Sequence, residues 1–317
     1  LSAKHPETRM GRPRVSVLIL AYNHEMYIRQ ALEGVVKQKT DFHYEIHVHD
    51  DASKDGTVEI ITSYQKKYSN LIKTVFQTEN QFSKGINPLD RYLYPCLESD
   101  YIAYCEGDDY WEDPFKLQKQ VEFMDAHPEY AMCSHDVHVT YEVGMAVKEV
   151  FYNNPAEGFF TFTFLDEFLN HFIATASVLV RREIAVDMPS THNLVSLDIY
   201  SILYFLSKGK GYYMAEKMVV KRRNLGGITM NPAYRKTLAS GICRMWQEVL
   251  AFAPVPYKVL IRLKLAEFQR QLVKNYRVHS PDISFVELLF GAVFNDPFWL
   301  FGLTETYRRR LLKRLTV

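Results

Sequence analysis

The chain has 317 residues, 47% of them apolar and 24% charged, enough to bury a full core in one large domain or a domain with an appendage. That balance excludes an intrinsically disordered chain. The net charge of +1 conceals a division, because residues 231–317 carry 14 Lys and Arg against 6 Asp and Glu, a net +8, which leaves −7 on residues 1–230.

Leu1 to Arg14 is polar and basic without an apolar run, so it reads as a flexible leader rather than a signal peptide, and secretion is not indicated. Val15–Ala21 (VSVLILA) is a nearly continuous apolar run, as in a strand buried on both faces of a parallel sheet. Asn23 is expected to cap the helix that follows to about Gln38, with Ile28, Leu32, Val35 and Val36 along one side. A strand over Glu45–His49 leads to Asp55, which opens a helix from Thr57 to about Tyr68, and Lys73–Gln77 reads as the third strand. A helix over Pro88–Cys96 precedes the strand Tyr101–Cys105. Pro114 starts a helix over Phe115–Ala126 that His127-Pro128 ends, and Tyr130–Cys133 returns to the sheet. Val139–Phe164 reads as loops, followed by a helix at about Leu165–His171, a strand at Thr175–Arg181, a helix at Leu197–Ser207 and an edge strand at Gly211–Ala215. From Pro232 onward the pattern is helical. The alternation predicts an α/β fold with a mainly parallel Rossmann-like sheet, helices on both faces, and a helical C-terminal extension. The expected divisions are residues 1–14, 15–230 and 231–317.

Three polar turns, Tyr22-Asn23-His24, Asp50-Asp51-Ala52-Ser53 and Glu106-Gly107-Asp108-Asp109, each follow a predicted parallel strand. In an open α/β sheet the crevice beyond the carboxyl ends of the strands is where ligands bind, so the turns are expected to converge. Five carboxylates gathered there repel one another unless a cation or proton neutralises them. Oxygen ligands favour Mg²⁺ or Mn²⁺, ions that keep positions open for substrate phosphate, and the implied substrate is a nucleotide diphosphate.

At these turns the chain resembles the family 2 glycosyltransferases of the GT-A fold. VSVLILAYNHEMYIRQALEGVVKQ is similar to the family's opening strand and helix, HDDASKDGT to its Asp-Asp-Gly-Ser-x-Asp-Gly-Thr turn, and YIAYCEGDDYWEDPFKLQKQ to its metal-binding strand end, over roughly residues 15 to 227. The resemblance implies an inverting, metal-assisted transferase of the bacterial surface-polysaccharide type, moving a sugar from a nucleotide diphosphate donor, UDP preferred, to a glycan or lipid-linked saccharide acceptor. By position, Ala21, Tyr22 and Asn23 line the nucleotide, Asp50 or Asp51 bonds the base or ribose with Asp51 favoured for the base, Asp108 ligates the metal, Glu106 lies near the ribose, and Asp109 supports one or both. Glu106 departs from the commoner Asp at its position. Asp198 aligns with the base that deprotonates the acceptor hydroxyl, the competing reading being an ordinary helix N-terminal acid. Asn224 stands where the family often carries a His in Tyr-Arg-x-His, so Arg222 and its neighbouring cations are expected on the diphosphate instead.

A glycoside hydrolase is disfavoured, since adjacent acids at one strand end do not flank a bond. A nucleotidyltransferase shares sheet and metal but needs a Gly-rich phosphate loop, absent after the first strand; a degenerate GT-A binding protein in a glycan assembly complex is the non-enzymatic rival. Metal ligation by His43, His47, His49, His135 or His138 is disfavoured, and Trp111 reads equally as a stacking platform for the acceptor or as core. Four well-separated cysteines, Cys96, Cys105, Cys133 and Cys243, argue against disulfides or a zinc cluster, and a reducing cytosol fits. Phe285–Leu303 is apolar, but Glu287, Asp296 and Pro297 make a membrane span costly; with Arg308, Arg309, Arg310, Lys313 and Arg314 following, docking on an anionic membrane at the cytoplasmic face is expected, with helix packing or a homodimer contact as the alternative. The tail's aromatics cluster apart from its cations, so nucleic acid is not an expected partner.

Overall fold

The computed structural model describes residues 12–142, 158–192, 194–224, 232–274 and 291–296, with side chains for all of these but 232–240 and 271–274. Residues 1–11 of the expected leader, most of the aromatic loop region, and the basic cluster at 308–314 lie outside the described residues.

Among the described residues the strands are β1 (Val15–Ala21), β2 (Tyr44–Asp50), β3 (Ile72–Phe76), β4 (Tyr101–Glu106), β5 (Tyr110–Trp111), β6 (Tyr130–Tyr141), β7 (Phe160–Phe162), β8 (Leu179–Arg181) and β9 (Lys210–Arg223). They form one sheet in the order β3-β2-β1-β4-β8-β6-β9-β5, with β7 also paired to β9. The expected parallel sheet holds for β3-β2-β1-β4, whose apolar runs tolerate burial on both faces. Beyond β4 the sheet is mixed: β8 runs antiparallel to β4 and β6, while β6 and β9 are parallel.

The helices α1 (Ile28–Val36), α2 (Thr57–Lys67) and α3 (Lys116–Ala126) supply Ile28, Leu32, Ile61, Leu117 and Val121 to a core shared with Val15, Val17 and Ile19 of β1. Each fully buried aliphatic side chain in that layer contributes about 1.5–3 kcal/mol. Helix α1 opens at Ile28, with Tyr27 as its uncapped N-terminal residue, so Asn23 is not its cap. Instead Asn23 takes a left-handed conformation, φ 54°, and its Oδ1 accepts the Lys54 N–H at 2.8 Å. The expected helix at Pro88–Cys96 is two short turns, Leu89–Leu93 and Tyr94–Cys96, because Pro95 cannot continue an α-helix. Thr175–Ser177 is likewise a tight turn, leaving only Leu179–Arg181 as strand.

Further helices are α4 (Phe164–Asn170), α5 (Arg182–Val186), α6 (Leu197–Lys208), α7 (Pro232–Phe252) and α8 (Lys258–Lys274). The predicted edge strand at Gly211–Ala215 is instead the start of β9, a 14-residue strand with neighbours on both sides. Its register against β6 shifts around His135, Asp136 and Val137, and such bulges obscure the alternation that would mark a long strand in sequence.

The chain divides into two compact units. The first runs to His192 and takes in Lys208–Arg223; the second comprises Asn193–Ser207 and everything from Asn224. Most of α6 thus groups with the C-terminal helices. Within that second unit Tyr200 and Tyr204 of α6 meet Phe252 of α7 edge-on, at 5.3 and 5.1 Å. In the first unit, Arg14 contacts Asp100 and Asp125 at 2.8 and 2.7 Å, so the folded chain begins before Val15.

Candidate active site

The three polar turns meet because β1 lies between β2 and β4. In register, Ala21 stands opposite Asp50 and Leu20 opposite Glu106. The first two turns are stitched together by hydrogen bonds: the Asn23 N–H donates to Ser53 Oγ at 2.8 Å, the His24 N–H to Thr57 Oγ1 at 2.8 Å, and the Glu25 N–H to Asp55 Oδ2 at 3.1 Å. Asp55 also accepts from the Thr57 N–H and hydroxyl, a local turn role, while the residue preceding α2 is Gly56, without a side-chain cap. The third turn joins the first through the Gly107 N–H, donated to the Leu20 carbonyl at 2.9 Å.

Asp50 is wholly buried and accepts from the Ser53 N–H and hydroxyl, so it organises its own turn. Asp51 is also buried, and its two oxygens accept the Gln81 and Phe82 amides at 2.7 and 3.0 Å. Each oxygen retains a lone pair, so a nucleobase N–H could still be accepted by a carboxylate that the backbone has already oriented. Tyr22 and Asn23 are exposed at the rim, whereas Ala21 is buried beneath them.

In the acidic turn the four residues divide sharply. Asp109 is wholly buried, with Oδ2 2.8 Å from Lys221 Nζ and Oδ1 accepting the Arg222 N–H at 2.8 Å, which narrows its expected role to support from behind. Burial pushes its carboxyl up to about 7; Lys221 pulls against that, and Glu106 and Asp108 add to it. Asp108 is partly exposed, and its carbonyl accepts from Arg222 Nη1 at 2.7 Å. The Arg222 guanidinium also bonds Gln30 and lies over the Tyr110 ring at 4.4 Å and the Tyr27 ring at 5.4 Å. Glu106 Oε2 is buried without a hydrogen-bond partner among the described residues.

These features suit a divalent cation. An unbonded carboxylate oxygen beside a partly exposed aspartate, with further acids behind, is a hard-oxygen donor set. Among the described residues no three His, Cys, Asp or Glu side chains converge as a closed cage.

The family model for glycosyl transferase family 2 matches residues 16–188, which span all three turns. The chain belongs to glycosyl transferase family 2. A Mycobacterium tuberculosis protein, Rv1520, is 36% identical over 216 residues, 68% of this chain and 60% of that protein, so the chain spans about 60% of this relative's length. Staphylococcus aureus TarS, residues 1–349 solved with UDP-GlcNAc, has the same fold at a TM-score of 0.61 and 19% identity, over 89% of this chain and 79% of that one. The mannosyltransferase PcManGT from Pyrobaculum calidifontis, solved with GDP-Man and Mn²⁺, gives a TM-score of 0.51 at 16% identity, over 96% and 87%. The expected GT-A fold is thereby established.

Within this family 2 framework, Asp198 stands in the first turn of α6, exposed, in the second unit; the three polar turns and Arg222 belong to the first. Asn224 is buried and begins the second segment of the second unit. Trp111 is core rather than a sugar platform, 3% exposed with the Lys116 ammonium 4.0 Å from its ring. Of the histidines named above, His47 Nε2 lies 2.8 Å from Glu45, and His135 is buried with Nδ1 on the Asp136 carbonyl. Cys105, Cys133 and Cys243 are buried thiols whose pKa burial raises, and Cys96 is exposed.

Two residues stand here in places that the sequence does not show. Lys221, one of the cations expected beside Arg222 on the diphosphate, pairs with the buried Asp109, an acid in need of a counter-charge. His24 packs against the acidic turn so closely that a methyl group on Gly107 would sit 2.6 Å from its Nδ1. Burial holds the His24 pKa below the usual histidine range, against Asp108, Asp55, Asp50 and Glu106, which pull it upward.

Proposed function

We propose that this chain transfers a glycosyl group from a nucleotide diphosphate sugar to a hydroxyl of a glycan or lipid-linked saccharide, with inversion at the anomeric carbon. The observation that carries the reading is the meeting of the β1, β2 and β4 ends around Asp108, with Asp109 and Arg222 bracing it from behind and beside. The neighbouring structures with UDP-GlcNAc and GDP-Man support the donor class; UDP is our preferred nucleotide.

Asp108 is the residue that would hold Mn²⁺ or Mg²⁺, with the buried Glu106 oxygen beside it. A bound ion of this kind stabilises the charge of the departing diphosphate as a Lewis acid. Arg222, stacked on Tyr110 and tied to the Asp108 carbonyl, supplies a fixed cation for the same phosphates. Asp51, oriented by two backbone amides, accepts from the base, and Tyr22 and Asn23 close the rim. Asp198 accepts the proton of the acceptor hydroxyl as that oxygen attacks the anomeric carbon.

The C-terminal unit we assign to an anionic membrane surface on the cytoplasmic side. Phe294 is 79% exposed, whereas Asp296, whose charge argues against a span, is buried 2.8 Å from Arg270. Among the described residues no helix is long and apolar enough to cross a membrane.

A donor-release screen over a panel of nucleotide sugars with Mn²⁺ tests the reading, repeated with Asp108→Ala and Asp198→Ala. We expect release by the wild type and a loss of at least about a hundredfold in each variant. Undiminished turnover by Asp108→Ala overturns the metal assignment.

A further inference from the structure

Two side chains at the start of α1 reach the Arg222 guanidinium. Gln30 Oε1 accepts from Nη2, and the Tyr27 ring lies 5.4 Å from Cζ. They share one turn of chain, since the Gln30 N–H donates to the Tyr27 carbonyl at 3.0 Å. The Tyr27 hydroxyl donates in turn to Glu142 Oε1 at 3.3 Å, just past the end of β6, which ties the ring down at its far end. From the acidic turn, the Asp108 carbonyl accepts from Nη1 at 2.7 Å, and the Tyr110 ring lies 4.4 Å away.

The guanidinium is thus held without being used up. It carries more N–H donors than these two acceptors take, so the remainder can meet an anion while the fork stays where it is. The two rings attract the cation through their faces and take no donor at all. The need for such a hold follows from the neighbourhood. Arg222 touches Asp108 through its backbone carbonyl, so the carboxylate of that same residue is one short side chain away. A mobile guanidinium would be drawn to the opposite charge, and cation and acid would neutralise one another.

We infer that Gln30 and Tyr27 are positioning residues for donor binding, holding the Arg222 guanidinium ready for the diphosphate. The inference rests on the diphosphate reading of Arg222 proposed above. Neither residue need touch the donor; both act through the guanidinium, whose rotamer they fix before a ligand arrives. A long side chain ordered in advance loses less freedom on binding.

Calorimetric titration of the chain with UDP and with uridine, in buffer containing Mn²⁺, tests this, because only UDP carries the phosphates. The wild type should bind UDP more tightly than uridine. Gln30→Ala, an exposed helical position where alanine is favourable, should fold normally. It should weaken UDP about fivefold, the cost of ordering one long side chain, and leave uridine affinity as it was. Tyr27→Leu should do the same, and Tyr27→Phe, which keeps the ring face, should recover most of the loss. In an Arg222→Gln background, Gln30→Ala should change UDP affinity no further, since it acts only through the missing guanidinium. A general loosening of the fold would weaken uridine as well. If Arg222→Gln weakens UDP while Gln30→Ala and Tyr27→Leu do not, the inference is overturned and the Arg222 reading stands; an additive effect of Gln30→Ala in the Arg222→Gln background has the same consequence. UDP affinity unmoved by Arg222→Gln, or a wild type that binds UDP no better than uridine, overturns the diphosphate reading and the inference with it.

Discussion

Lys221 Nζ lies 2.8 Å from Asp109 Oδ2, joining the end of β9 to the turn after β4 across 112 positions of sequence. Asp109 is wholly buried, so the ammonium answers a charge that water cannot reach. Its other oxygen takes the Arg222 N–H, and Arg222 in turn takes the Asp108 carbonyl. The acidic turn is therefore held by β9, with Asp109 anchored and the adjoining Asp108 partly exposed.

Lys221→Met should strand that carboxylate. Breaking a buried pair by removing one partner costs about 3–5 kcal/mol, against far less when both partners go. At a pH above about 7, where Asp109 is ionised, we expect urea denaturation to show a loss of that size for Lys221→Met, and a smaller one for Lys221→Met with Asp109→Asn. A coupling energy near zero in this cycle would mean that the two groups do not support one another.

The same carboxyl gives stability a pH dependence of known sign. Asp109 titrates near 7 in the folded chain, chiefly through burial, against an ordinary value of 3.8. Between those values the folded state holds a proton that the unfolded chain has released, so stability falls as pH rises from about 4 to about 7. Comparing melting temperature across that range for wild type and Asp109→Asn isolates the contribution. The downward slope should be shallower in the variant; parallel profiles would assign the slope elsewhere.

Ala52 occupies a place made for glycine. Its φ is 65°, in the left-handed region, and the family turn it resembles carries Gly there. The left-handed conformation costs a non-glycine residue about 1–2 kcal/mol, offset by about 0.4–1 kcal/mol from the added freedom of glycine in the unfolded chain. Ala52→Gly should therefore stabilise the protein by about 0.5–1 kcal/mol, read as a rise in the urea midpoint with an unchanged slope. A lowered midpoint would show that the Ala52 methyl packs usefully, since this side chain is 5% exposed.

What could be read in the sequence follows from how local each signal is. VSVLILA announces β1 because a strand buried on both faces needs nothing but apolar residues, and the acids after β2 and β4 stand out against such runs. The β6–β9 half was hidden, because β9 (KGYYMAEKMVVKRR) breaks its own alternation at the bulges and pairs with β6 from 80 or so positions away. Asn23 looked like a cap because Asn usually is one; here its side chain serves the neighbouring turn instead. The uses of Lys221 and His24 depend on partners distant in sequence, and no spacing rule reaches them.

Gly107 offers the sharpest steric test of the site. Its φ is not left-handed, so alanine is acceptable to the backbone and only space opposes it. An added methyl would meet His24 Nδ1 at 2.6 Å and the Leu20 carbonyl oxygen at 2.9 Å. The imidazole can swing away, but the Leu20 carbonyl is part of β1 and accepts the Gly107 N–H, so the turn itself must move. Gly107→Ala should thus displace Asp108 and lower turnover by about a hundredfold, with a stability loss of about 1–3 kcal/mol. Adding His24→Ala removes the yielding contact and leaves the rigid one, so the double variant should recover little turnover. Full recovery in the double variant would place the entire obstruction on the histidine ring and leave β1 with no part in fixing the acidic turn.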